Sequence, residues 1–257
     1  MKFIQRDGYQ LFARQIVYSP IHENKPTLLF LHDSWGCTEL WGDFPERVLK
    51  SSGLNGLLYD RRGYGLSSPF AVKQRNEFYL HDEARELIEV LDSFGIQQVV
   101  IYGHSDGATI ALLAAALFPG RIKGLMLEGA HSFIEDSGKA AVLDTRERAK
   151  ENGLLASLEK YHGAKTTELF RLWHETWLSD YFAHWTIVPL LHNITCPVLA
   201  FQGENDEFGS VEQLNVLKKE IPGDVTISEI PMTGHTPRKE AEDEIIKMVR
   251  KFLKELK

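Results

Sequence analysis

Val99-Val100-Ile101-Tyr102-Gly103-His104-Ser105-Asp106-Gly107-Ala108 is the stretch on which the fold turns. Its first four residues form an apolar run without alternation, the pattern of a strand buried on both faces. The run passes into Gly-x-Ser-x-Gly and then directly into the apolar stretch Ala108–Phe118, which Pro119-Gly120 closes as a helix stop. That stretch is the longest apolar one in the chain, yet too short to cross a bilayer, so it predicts a buried helix. Small residues at 103 and 107 permit a tight strand-to-helix turn that lifts Ser105 above the sheet. The helix then begins with the backbone N–H of Asp106, where partial positive charge stabilises an oxyanion. A Gly-x-Ser-x-Gly string alone arises by chance in loops. Its strand–turn–helix setting is what carries weight.

Working outward, further short apolar runs occur at Thr27–Leu31, Gly56–Tyr59, Leu125–Leu127 and Pro197–Phe201, with another expected strand at Val225–Ile230. Helical segments lie between them, notably Tyr79–Phe94 and Val211–Glu220. Such alternation predicts an α/β fold with a doubly wound, mostly parallel sheet and ligands at the carboxyl ends of its strands. Before it, Lys2–Arg6 and Tyr9–Val17 read as a hairpin turning at Asp7-Gly8. From 132 to 191 no buried-strand run appears, only helical stretches rich in aromatics. We expect residues 1–131 and 192–257 to form the core and 132–191 to be an inserted helical cap, since an interruption of this length usually has a function or structure of its own. Phe170, Trp173 and Trp177 fall at helical spacing and share one face. Any one of them can simply pack the insertion onto the core; as a group they predict an apolar ceiling. Trp35, Tyr161, Trp173 and Trp177 are the expected substrate contacts.

The 257 residues suit one large domain, and 43% hydrophobic with 25% charged content suits a chain with a sizeable core. A net charge of −7 disfavours nucleic acid, whose binding needs a basic face. The doublets Arg61-Arg62 and Lys218-Lys219 read as solvated charges. Two cysteines, Cys37 and Cys196, make no disulfide framework, and the N-terminus has no apolar signal core. A cytoplasmic protein is expected, monomer or homodimer, acting on a small molecule without a membrane or nucleic-acid partner. No His-Glu-x-x-His, clustered Cys/His, phosphate-binding or dinucleotide fingerprint occurs, so no metal or other cofactor is expected.

A serine hydroxyl is a poor nucleophile unless a base takes its proton and an acid orients the base. Both follow in chain order. After Pro197–Phe201 comes Gln202-Gly203-Glu204-Asn205-Asp206, placing a carboxylate at a strand's carboxyl end; Asp206 is preferred over Glu204 and Glu207. After Val225–Ile230 comes Met232-Thr233-Gly234-His235, which gives His235 the best context of ten histidines. Ser105, Asp206 and His235 are therefore the expected catalytic residues. A second oxyanion donor is expected in Leu31-His32-Asp33-Ser34-Trp35-Gly36, at the N–H of Ser34, with Trp35 the neighbouring alternative.

With these pieces in place, the chain resembles an α/β-hydrolase fold enzyme over nearly its whole length. The motifs are His32-Asp33-Ser34-Trp35-Gly36, Asp60-Arg61-Arg62-Gly63-Tyr64-Gly65-Leu66-Ser67, the serine elbow, and the Asp206/His235 pair. The resemblance implies that the second motif is structural and lies near the oxyanion loop, and that the insertion is the family's helical cap, after the sixth strand. Serine at 105 argues against the haloalkane dehalogenases and epoxide hydrolases of this fold, whose nucleophile is a carboxylate. Two departures stand out. Asp33 replaces the glycine usual after the histidine of the oxyanion loop, and Asp106 puts an acid directly after the nucleophile. Either carboxylate can point away, bonded to backbone or to Arg62, or face the pocket and disfavour anionic substrates. The expected function is a serine hydrolase acting on a small, fairly apolar ester or lactone through an acyl-enzyme. Alternatives are a carbon–carbon hydrolase of ring-cleavage dienones, disfavoured by Thr236-Pro237 where such enzymes often place an aromatic, and a ligand sensor on the same fold with little turnover.

Overall fold

Lys2–Arg6 (β1) and Tyr9–Ile16 (β2) pair antiparallel outward from Arg6 and Tyr9, and Gly8 supplies the positive φ of 77° that the Asp7-Gly8 turn needs. The structure, a computed structural model, describes residues 1–18, 26–149 and 151–256. The remaining strands are β3 (Thr27–Leu31), β4 (Gly56–Tyr59), β5 (Val99–His104), β6 (Ile122–Glu128), β7 (Val198–Gly203) and β8 (Val225–Ile230). Among the described residues they form an eight-stranded sheet in the order β1-β2-β4-β3-β5-β6-β7-β8, parallel from β4 to β8. The chain runs from β3 to β4 on one side, then crosses back to β5 on the other. The order therefore reverses between β3 and β5, where an open α/β sheet leaves a crevice at its carboxyl edge.

Alternate residues of each central strand enter different cores, as a period of two requires. Leu29, Leu31, Val99, Ile101, Leu125 and Leu127 pack on one face with α2 (Tyr79–Ser93) and α3 (Asp106–Leu117). Leu28, Phe30, Val100, Tyr102, Met126 and Phe201 pack on the other, against α1 (Phe44–Ser52) and Ile245 and Val249 of the C-terminal helix Glu242–Glu255. The six residues of β5 and the first eleven of α3 are all buried, matching an apolar run with no polar face. Among the described residues no helix is long and apolar enough to cross a membrane. Cys37 and Cys196 are both buried and free of disulfides.

Between β6 and β7 the chain forms α4 (Asp136–Arg148), α5 (Leu154–His162) and α6 (Thr166–Trp177). Its entry and exit are stitched together by a bridge between Phe133 and Thr186 and by bonds from Ile134 N–H to the Trp185 carbonyl (3.2 Å) and Ile187 N–H to the Ser132 carbonyl (2.8 Å). Among the described residues three further helices follow β7: α7 (Glu212–Glu220), the short α8 (Pro237–Glu240) and α9 (Glu242–Glu255).

The turn from β5 to α3 is possible only with glycine at its flanks. A Cβ on Gly103 would lie 2.5 Å from the Gly107 carbonyl oxygen, and one on Gly107 would collide with the backbone oxygens of Leu31 and His32. Both obstacles are backbone, so nothing can swing aside. Gly107→Ala is expected to cost about 1–3 kcal/mol through overpacking, read as a fall of several degrees in the thermal midpoint. A midpoint equal to that of the wild type would contradict this packing account.

Candidate active site

Strand β5 ends at His104 and α3 begins at Asp106, which leaves Ser105 alone at the joint with φ 55° and ψ −121°. A non-glycine residue there carries roughly 1–3 kcal/mol of backbone strain, held in place by its surroundings. The Ser105 N–H donates to the Glu128 carbonyl at 2.8 Å, and its own carbonyl accepts from Ala108 N–H (2.9 Å) and Thr109 N–H (3.0 Å). The hydroxyl thereby projects over the carboxyl edge of the sheet.

The loops after β7 and β8 are laced to each other by Glu204 N–H to the Ile230 carbonyl (3.0 Å) and Asn205 N–H to the Thr233 carbonyl (2.8 Å). This brings Asp206 and His235 together despite their distance in sequence. His235 Nδ1 lies 2.8 Å from both carboxylate oxygens of Asp206, and its Nε2 lies 2.9 Å from Ser105 Oγ. The carboxylate can only accept, so Nδ1 carries the proton and Nε2 is free to accept one from the serine. Burial works against a charged His235, but the charge and hydrogen bond of Asp206, helped by Glu207 and Asp33, raise its pKa. Burial likewise opposes ionised Asp206, yet His235, His131 and the Phe208 N–H hold its pKa below the usual carboxylate value.

On the other side of Ser105, the loop after β3 is folded around Asp33. Its Oδ1 accepts the Trp35 N–H at 2.8 Å and its carbonyl accepts the Gly36 N–H at 3.2 Å. With both of those donors engaged, Ser34 is the loop's candidate oxyanion donor, and Trp35 is not. The opposing candidate is the Asp106 N–H, which lies in the first turn of α3 and so has no intrahelical acceptor. The Asp60–Ser67 stretch braces the loop from beneath. Arg61 donates from its backbone to His32 Nε2 (3.1 Å) and from its guanidinium to the Asp33 carbonyl (2.8 Å), while Asp60 accepts the N–H groups of Thr38 (2.6 Å) and Leu66 (2.8 Å). Burial and then Arg61 push the His32 pKa well down, which suits its role as an acceptor at Nε2.

The doublet Arg61-Arg62, expected to be solvated, is split: Arg61 is 0% exposed, and Arg62 lies over the Tyr9 ring. Neither unusual aspartate meets Arg62. Asp33 lines the pocket, with Oδ2 3.2 Å from His104 Nδ1 and 4.0 Å from Arg238. Burial opposes its ionisation, but His104, Arg238 and the Trp35 N–H together hold its pKa well down. Asp106 turns away into the protein, 3.4 Å from the Tyr79 hydroxyl and within the fields of Arg61 and Arg75.

Three residues that sequence patterns did not single out complete the setting. His104 faces acceptors with both ring nitrogens, Asp33 through Nδ1 and the His235 carbonyl through Nε2 at 2.9 Å, so it ties the loop after β3 to the loop after β8. Buried Glu128 accepts from the Arg238 backbone (2.7 Å), the Arg238 guanidinium (2.9 Å) and the Tyr102 hydroxyl (3.0 Å), clamping the chain just after His235. His131 lies in the pocket wall with its ring 5.7 Å from that of His235; burial, then His235, lowers its pKa to about 4, keeping it neutral. Its place just beyond the carboxyl end of β6 was a usable sequence signal, the same one that marks Asp206.

These groups open into a cavity of about 390 Å³. Trp35, Tyr161, Trp173 and Trp177 all line it, as do Ser34, Ser105, His235 and Phe208. Trp35 and Trp173 meet edge to face at 4.5 Å, joining the loop after β3 to α6.

The sequence profile of the family described as alpha/beta hydrolase fold matches residues 26–173. Serine hydrolase BPHL of Mus musculus is 25% identical over 250 residues, 92% of this chain and 82% of the mouse protein. Among solved structures, MGS-M2, an alpha/beta hydrolase enzyme from a Medee basin deep-sea metagenome library, superposes with a TM-score of 0.80 at 21% identity, covering 100% of this chain and 98% of its own. The enol-lactonase from Burkholderia xenovorans LB400 gives a TM-score of 0.75 at 19% identity, covering 99% of this chain and 100% of its own. With the sheet order, the elbow and the family profile in agreement, the chain belongs to the α/β-hydrolase fold family.

Proposed function

We propose that the chain is a serine hydrolase that cleaves a small, largely apolar ester or lactone, with Ser105 as nucleophile, His235 as general base and Asp206 as its orienting acid. One observation carries this: the unbroken hydrogen-bonded line Ser105–His235–Asp206, opening into an aromatic-walled cavity. Ser105 Oγ attacks the substrate carbonyl while its proton passes to His235 Nε2. The N–H groups of Asp106 and Ser34 receive the oxyanion, where one such donor is typically worth about 10²–10³ in turnover. His235 then protonates the departing alcohol, and water, activated by the same imidazole, releases the acid. Residues 132–191 act as a cap over the core formed by 1–131 and 192–257, and Trp35, Tyr161, Trp173 and Trp177 hold the apolar part of the substrate. The mouse relative's description as a serine hydrolase and the enol-lactonase's similar fold support this choice of chemistry. A fluorophosphonate probe should label Ser105, and a panel of p-nitrophenyl esters and lactones should show many turnovers per chain. Labelling elsewhere, or a stall after one equivalent, contradicts the proposal.

The acid limb of kcat/KM should reflect His235, since its protonated form cannot take the serine's proton. Because Asp206 raises that pKa, activity should fall through a pH above the ordinary imidazole value of about 6.5. Asp206→Asn should move the limb to lower pH and reduce the plateau by about 10⁴. An unmoved limb would assign the titration to another group.

A further inference from the structure

Helix α5 ends on His162, whose side chain is buried at 2% exposure. It reaches two loops of the core. Nδ1 accepts the Gly65 N–H at 2.9 Å, and Nε2 lies 2.8 Å from the Trp35 carbonyl oxygen. A backbone N–H only donates and a carbonyl only accepts, so the two bonds fix the tautomer: bare Nδ1, protonated Nε2. Just beyond α5, Lys165 Nζ donates to the Gly65 carbonyl at 2.7 Å, so this segment grips Gly65 by both its polar groups. Burial, and to a lesser degree Lys165, hold His162 below the ordinary imidazole pKa, against the Trp35 carbonyl, Asp60 and Asp33; the neutral form matches the bonding.

The position of the Trp35 carbonyl gives this contact its meaning. Every other hydrogen bond or ion pair on the Asp33–Gly36 turn described above comes from within the turn or from the Asp60–Ser67 brace, its elbow neighbour His104 and Arg238. His162 brings a hydrogen bond to the turn from the helices over the cavity, where the Trp173 ring adds only an apolar contact. We propose that His162 is a positioning residue that couples the seating of α5 to the geometry of the oxyanion loop, so that the Ser34 donor is correctly aimed only when the helical segment is docked. This rests on the assignment of Ser34 as an oxyanion donor and Ser105 as nucleophile.

The test uses the full chain with p-nitrophenyl butyrate and two inhibitors: an aryl trifluoromethyl ketone, which forms an anionic tetrahedral adduct with a serine, and the matching methyl ketone. His162→Leu should lower kcat about 10- to 100-fold with KM within about twofold, and weaken the trifluoromethyl ketone in the same proportion. Methyl ketone affinity should hold. His162→Gln, an uncharged side chain with one donor and one acceptor at similar spacing, should recover kcat to within about fivefold. Equal losses for both ketones, or failure of glutamine to recover more than leucine, would mean that the side chain merely fills space and would overturn the proposal. An unchanged kcat for His162→Leu would overturn it too, while leaving the serine mechanism intact. If His162→Leu does not fold, Lys165→Met must still lower kcat about threefold at constant KM, or the coupling is absent. Hydrolysis by the Ser105→Ala chain at the wild-type rate would instead remove the premise, and the coupling with it.

Discussion

Replacing Ser105 with alanine is expected to lower kcat for ester hydrolysis by about 10⁵–10⁶-fold while leaving the fold intact. On the proposed mechanism the loss is large because the attacking oxygen disappears, and His235, oriented by Asp206, has no serine proton to take. The fold should survive because the strained turn is held by groups that the substitution does not touch. These are the backbone bonds of residue 105 to Glu128, Ala108 and Thr109, and the close approach of Gly107 to Leu31. Thermal midpoints of the two proteins should agree within a few degrees, and substrate should still bind. Hydrolysis surviving at more than about a thousandth of the wild-type rate would place the nucleophile elsewhere.

Glu128→Ala should be the most damaging change to stability near the site, at about 3–5 kcal/mol. Glu128 is 0% exposed and balances Arg238, which is 5% exposed and has its guanidinium 4.5 Å over the Trp41 ring. Removing the carboxylate leaves a buried cation with only the more distant Asp33 at 4.0 Å, and the Tyr102 hydroxyl without its acceptor. A fall of roughly 10 °C in the thermal midpoint is the corresponding readout. Burial opposes ionised Glu128, but Arg238, assisted by His104, holds its folded-state pKa below the ordinary glutamate value. Its contribution is thus fully present above the unfolded pKa of about 4.3 and is lost as pH falls through the lower folded value. The stability gap between wild type and variant should therefore narrow under acid. A gap that widens would reverse the assignment. Joint replacement by Glu128→Leu and Arg238→Met should regain much of the stability, since a buried pair contributes little over well-packed apolar groups. It should not regain the full rate, because the chain after His235 would lose its clamp.

How much of this could be read from sequence depends on the range of the interaction. Thr27–Leu31, Gly56–Tyr59 and Val225–Ile230 have the strand bounds expected of them, because burial on a sheet leaves its mark residue by residue. The helix Phe44–Ser52 gave no such mark: only four of its nine residues are buried, and its sequence opens on Phe-Pro. The elbow was legible because strand, glycines and helix are contiguous. Asp206 and His235 were legible because each follows a strand's carboxyl end. The groups around them were not, because their partners lie far away in the chain: Arg238 is 110 positions from Glu128, and His162 is 127 from Trp35. For the same reason, nothing local distinguished Arg61, which is buried against Asp33, from its neighbour Arg62 over Tyr9. Nor could spacing decide that Asp33 faces the cavity while Asp106 turns from it.

The stitched neck of the segment between β6 and β7 has a bearing on how such proteins diversify. Residues 132–134 and 185–187 meet as a short ladder, so everything between them leaves and re-enters the sheet through a single doorway. Insertions are best tolerated where their two ends already lie side by side. Whole helices beyond this doorway can therefore be exchanged as a cassette without shifting any strand, which lets binding preference and bond-breaking chemistry follow separate histories. Exchange is constrained where the segment meets the core: His162 and Lys165 bond to the backbone of Trp35 and Gly65, and the Trp173 ring packs on Trp35.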